Sequence, residues 1–123
     1  MKMPEITNRF VNKDGTATCI TLFNLFGRRV ELVYIPVGKA VTPHTHPNMD
    51  KELLFLCGEA DFHRTSATES ILLHVTTREH RGRKFTVKSY HKHWADNITK
   101  PLFFILFEKW NGEAKSEVTS YAV

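Results

Sequence analysis

Short apolar or alternating runs, each closed by a turn residue, recur along this chain, while helical stripes of period 3.6 are scarce. The run "TATCITLFNLF" (16–26) is rich in Thr, Ile and Phe and ends at Gly27. In "RVELVYIPVG", Val30, Leu32 and Tyr34 face one way and Glu31, Val33 and Ile35 the other, before Pro36 and Gly38 break the pattern. "ELLFLCG" (52–58) is continuously apolar, as in a strand buried on both faces, and is expected to stop at Gly58-Glu59. "ADFHRTS" then begins a hairpin whose return is "ESILLHVTT" (69–77), and "REHRGRK" (78–84) is a basic connection. "FTVKSYHKHW" (85–94) alternates again, and "PLFFILFEKW" (101–110) is a second buried-type strand. Strands at this spacing favour a sandwich or closed barrel. The tail "NGEAKSEVTSYAV" is polar and either pairs as an edge or stays mobile. With no repeat, low-complexity tract or linker, the chain reads as one all-β domain over 1–123, its core at about 28–110.

Composition sets the outer limits. A chain of 123 residues with 41% hydrophobic content, including nine Phe, can enclose a core of large rings. A net charge of +4 is too small to argue for nucleic acid by itself. Arg78, Arg81, Arg83, Lys84, Lys88 and Lys92, interleaved with Phe85 and Tyr90, read as a solvated face that steers an anionic small molecule. Cys19 and Cys57 lie in apolar contexts without Cys-x-x-Cys spacing; buried free thiols are the reading, with a disulfide left open. "MKMPEITNRF" lacks the apolar core of a signal peptide, and no apolar run reaches transmembrane length, so a soluble cytoplasmic protein is expected.

Chemistry concentrates in the histidines. His44 and His46 sit two apart between Pro43 and Pro47; if the segment is extended, both imidazoles point to one side. Two imidazoles on one face can chelate a divalent cation, and His93 in "HKHWADN" is the candidate third ligand. His63, His74 and His80 lack supporting spacing and read as surface or hairpin residues. Asn97 is expected to close a turn with its side chain. Phe103, Phe104 and Phe107 read as core and cavity wall. Signatures of other chemistries are missing: there is no His-Glu-x-x-His, no phosphate-cradling glycine loop and no Gly-x-Ser-x-Gly elbow.

These residues resemble the cupin superfamily, small β-barrels of the jelly-roll type. The first motif of that family runs Gly, five residues, His-x-His, three or four residues, Glu, six residues, Gly. Here Gly38, five residues, His44-Thr-His46, five residues, Glu52, five residues and Gly58 match its order and span. The second motif ends Gly, two residues, His, three residues, Asn; here Gly82 lies upstream, and His93, three residues and Asn97 complete it. The resemblance implies a cupin-type barrel with a metal held by His44, His46, Glu52 and His93. Strict spacing puts Lys51 at the acid position, flanked by Asp50 and Glu52. A one-residue adjustment restores Glu52, Asp50 is the substitute, and an all-histidine site remains if neither reaches the cavity. The Pro and inner Gly of the second motif are replaced by Lys88 and Tyr90, so the strand from Phe85 could continue to His93 and bring His91 to the cavity face.

Three imidazoles and a carboxylate suit Zn, Fe, Ni, Mn or Cu. The leading expectation is a small metal-binding cupin that holds a small polar or anionic molecule, with metal-dependent turnover left open. The alternatives are a non-catalytic ligand-binding or sensing barrel, and a metal-independent sugar-nucleotide isomerase or epimerase with Tyr34 or Tyr90 as acid partner. The resemblance also implies a homodimer; a membrane is not expected as partner, nor nucleic acid.

Overall fold

The computed structural model of the chain describes residues 5–7, 17–111 and 119–121. The described elements are β1 (Glu5–Thr7), β2 (Thr18–Leu25), β3 (Arg28–Ile35), β4 (Val41–Thr45), β5 (Met49–Thr65), β6 (Ser70–Thr76), α1 (Thr77–His80), β7 (Lys84–Val87), β8 (Lys92–Trp110) and β9 (Ser120–Tyr121). All pairings are antiparallel. The long strands β5 and β8 form the spine, paired from Met49↔Trp110 to Thr65↔Lys92. On its other side β8 pairs first with β4 and then with β3, while β5 pairs with β7 and then β6. Curling in this way, the strands enclose one apolar core that includes Val33, Ile35, Phe55, Val75, Leu102 and Phe104.

The all-β reading holds, with differences in where strands end. Gly58 does not stop β5; the strand passes through register shifts between Phe55 and Asp61 and runs on to Thr65. The Thr77 hydroxyl takes over local pairing there, accepting from Gly58 N at 2.8 Å and donating to Gly58 O at 3.2 Å. Gly58 has φ +123°, and a Cβ on it would lie 2.5 Å from Pro101 O and 2.8 Å from Leu102 Cα. Both neighbours are backbone of the spine strand, which cannot yield cheaply. Gly58→Ala is therefore expected to cost about 2–3 kcal/mol, through overpacking and a backbone region hostile to side chains. A urea melt checks it: an unchanged midpoint would remove the close approach as a constraint.

The strand over 85–94 does not form as one piece. β7 ends at Val87, and Tyr90 takes φ 66° in a turn before β8 opens at Lys92. Asp50 holds this turn, its Oδ1 accepting from Ser89 N at 2.8 Å and Ser89 Oγ at 2.9 Å. The turn that Lys88 and Tyr90 seemed to delete is thus supplied by a carboxylate from β5. His80 is also corrected: it is buried in α1, where Nδ1 accepts from Thr76 N at 3.2 Å. Cys19 and Cys57 are free thiols, the first buried and the second partly so.

Candidate metal centre

Two strands, β4 and β8, and the residue just after β4 carry the histidines inward. His44 lies on β4, directly across the ladder from His93 at the start of β8, and His46 follows two residues after His44. Alternation therefore delivers the His-x-His pair to one face, and pairing delivers the third ring. Ring centroids are 4.2 Å apart for His44–His93, 4.7 Å for His44–His46 and 5.1 Å for His46–His93. One ring nitrogen from each lies within 4.8 Å of the others.

The outer nitrogens are all engaged. Thr42 O lies 2.6 Å from His44 Nδ1, and His91 O lies 3.0 Å from His93 Nδ1. A carbonyl only accepts, so these two rings carry their protons on Nδ1 and present a lone pair at Nε2. His46 Nδ1 is 3.1 Å from the Thr119 hydroxyl. Such partners fix ring orientation and tautomer, as in the outer shell of metal sites. Thr119 belongs to the polar tail, and of its two expected fates the edge pairing is the one found: β9 pairs with β4 through His44↔Tyr121 and Thr45↔Ser120. The segment itself does not specify which strand it joins, because that depends on the edge of β4.

Burial keeps the rings neutral. It lowers His44 to about 4, further helped by Lys51 and opposed by the Thr42 hydrogen bond. His46 is pushed far down by burial, then by Lys51 and the other two rings. His93, partly buried at the cavity wall it lines, is lowered by that burial, then by His44 and Lys51. Three neutral imidazoles with convergent lone pairs fit a transition metal.

The expected carboxylate ligand is corrected. Glu52 does not reach the histidines; it turns to the opposite face of β5 and pairs with Lys84 at 3.2 Å. Strand alternation explains this, since Met49 and Lys51 are buried and fix the inward phase. Asp50 shares the phase of Glu52 and is spent on the Ser89 turn. Lys51 takes the inward position, 2.9 Å from Glu108. Glu108 also accepts from Arg29 Nε at 2.9 Å and Nη2 at 3.0 Å, and Arg29 lies 3.2 Å from Glu31. Burial raises the Glu108 carboxyl, but Lys51, a hydrogen bond with Glu31 and Arg29 outweigh it and hold the group well below the usual carboxylate range.

The remaining candidates lie outside the three-histidine group, although His63 lines the same cavity rather than the surface expected of it. His91 sits in the turn before β8, outside the three-histidine group, and contributes its carbonyl to His93. Tyr34 packs on Phe103 at 4.9 Å and Tyr90 is 75% exposed; neither lines the cavity. His63 stacks on Trp94 at 4.6 Å and meets Asp96 at 2.8 Å; His74 meets Asp61 at 2.6 Å. Asn97 has φ 50° within β8 and donates to Asp61 at 3.1 Å rather than to its own backbone. Phe104 is buried and lines the cavity, whereas Phe107 is exposed.

No protein-family model matches this sequence, and no curated protein does. Solved structures do. One is an uncharacterized conserved protein with a double-stranded β-helix domain from Klebsiella pneumoniae subsp. pneumoniae MGH 78578; it is 17% identical, with 89% of this chain and 88% of that chain covered and a TM-score of 0.67. The fold is the cupin double-stranded β-helix. The DMSP lyase DddQ from Ruegeria pomeroyi DSS-3 is similar at 19% identity and TM-score 0.68, over 98% of this chain and 60% of that one. The capsular polysaccharide assembling protein CapF from Staphylococcus aureus is similar at 13% identity and TM-score 0.72, over 98% of this chain and 32% of that one. Among the described residues no helix is long and apolar enough to cross a membrane.

Proposed function

We propose that this protein binds a divalent transition metal through His44, His46 and His93 and holds a small anionic molecule in the cavity beside it. The observation that carries the reading is the convergence of three neutral imidazoles, with Nδ1 of each engaged by an oxygen. An all-nitrogen donor set suits Zn, Fe, Ni, Mn or Cu over Mg or Ca. When bound, such a metal supplies Lewis acidity. The chain orients the rings through Thr42, His91 and Thr119, excludes water with the apolar walls, and offers Lys51 as a cation for the anion.

Lys51 in place of a fourth, anionic ligand favours a second reading, a binding or sensing barrel without turnover. The isomerase reading loses ground, because Tyr34 and Tyr90 do not face the cavity. The proposal keeps a single domain and a cytoplasmic homodimer, the latter supported by exposed Leu22, Phe23, Leu25 and Phe26 at one sheet edge.

Protein purified from metal-replete medium is expected to carry near-stoichiometric transition metal by elemental analysis. His44→Ala and His93→Ala are each expected to weaken metal binding by about 100-fold or more with the β-rich circular dichroism retained, since even outer-shell changes cost about 10–100-fold. Wild-type protein that takes up no metal on titration would end this reading.

A further inference from the structure

We infer that the ligand of this cavity is an amphipathic carboxylate, with its anionic group at the histidine–Lys51 end and an aromatic or branched aliphatic body along the barrel wall. The inference rests on the proposed function only for where the anion sits. The cavity encloses about 440 Å³, within the range of about 300–1,000 Å³ that suits a ligand with a substantial body. Its walls are apolar, with Ile35, Val41, Leu53, Phe62, Phe85 and Leu106 among them. A small hydrophilic anion would leave most of that surface facing water, whereas a ring or branched chain covers it.

Charge gives the head group its sign. The ionisable side chains lining the cavity are histidines, Lys51, Arg64 and Lys84; no carboxylate lines it among the described residues. Lys51 is buried with His44, which sets it at the inner end, while Arg64 and Lys84 keep exposed surface and suit the mouth. The ion pair with Glu108 does not disqualify Lys51. Arg29 already meets Glu108 through two hydrogen bonds, one to each carboxylate oxygen, so an ammonium with three donors can share itself between Glu108 and a ligand oxygen. A neutral analogue would forgo the charge-assisted hydrogen bond to Lys51, and a cationic one would meet like charge. The carboxylate with an apolar body satisfies both ends.

Calorimetric titration of the full chain with 3-phenylpropionate, acetate, 3-phenylpropan-1-ol and phenethylamine tests this, with metal content measured on the same samples before and after chelation. The expected result is 3-phenylpropionate binding at least ~10-fold more tightly than each of the other three. Lys51→Met and, independently, Val87→Asp in the cavity wall are expected to weaken it at least ~10-fold while metal content is unchanged. Acetate or the alcohol binding as tightly as 3-phenylpropionate overturns the inference, as does wild-type affinity in both variants. If 3-phenylpropionate binds as expected to protein that takes up no metal, the metal reading fails and this inference stands. If metal binds and 3-phenylpropionate does not, the reverse holds.

Discussion

Glu108→Ala is expected to lower stability by about 3–5 kcal/mol, enough to leave a chain of this size largely unfolded or marginal. The reason lies in one rung of the sheet. Arg29 on β3, Glu108 on β8 and Lys51 on β5 are direct cross-strand neighbours, and all three side chains point inward. The carboxylate stands between two cations, 2.9 Å from each. Removing it leaves a guanidinium and an ammonium buried side by side, with Glu31 paired to Arg29 at 3.2 Å as the remaining carboxylate. Breaking a buried pair from one side is far costlier than replacing the whole set with apolar residues. Two comparisons isolate the cause. Glu108→Gln keeps an acceptor of the same shape but loses the charge, so it should fall between wild type and Ala. The fourfold change Arg29→Met, Glu31→Leu, Glu108→Leu, Lys51→Met, which removes the whole buried set including the Glu31 that pairs with Arg29, should recover much of what Glu108→Ala loses. Urea midpoints for the three proteins decide it; a Glu108→Ala midpoint within error of wild type would mean that the rung is solvated and the charges screened.

That rung also shows where sequence reading reaches its end. The two faces of β3 were separable by alternation, yet the strongly apolar set Val30, Leu32 and Tyr34 is only partly buried, while Glu31, Val33 and Ile35 are fully buried. A charge on the inner face is tolerable only because its partners arrive from far along the chain: Arg29 and Glu108 are 79 positions apart. No local pattern encodes that pairing. The histidines were legible for the opposite reason. His44 and His46 need only strand periodicity to share a face, and His93 needed only the spacing of a recurrent motif. The same spacing put Lys51 at the acid position, which the structure bears out, but it could not show that both neighbouring acids turn away. Strand ends depart from the sequence expectation at Gly58, where the Thr77 hydroxyl overrules a turn signal, and at Tyr90, where Asp50 builds a turn that the local residues do not signal.

Metal-free protein is expected to lose stability as pH falls from about 6.5 towards 4. Each buried ring has a folded pKa below its unfolded value, so the unfolded chain takes up protons that the folded chain refuses. Stability therefore rises with pH across this window and is fully restored above the unfolded value near 6.5. His44 alone, lowered from 6.5 to about 4, accounts for roughly 2 kcal/mol at pH 5 and roughly 3 kcal/mol at pH 4. His46 and His93 shift in the same direction and add to it. Exposed His74 shifts the other way, its charge favoured by the hydrogen bond it donates to Asp61, but its contact with solvent keeps that effect small. Urea unfolding with a chelator present, at pH 7 and pH 5, reads the slope directly, and His44→Gln should flatten it. Equal midpoints at the two pH values would show that the rings are hydrated rather than buried. The same burial has a consequence for binding: imidazoles that stay neutral at pH 5 keep their lone pairs, so the site should take up metal at a pH where an exposed histidine cluster is already protonated.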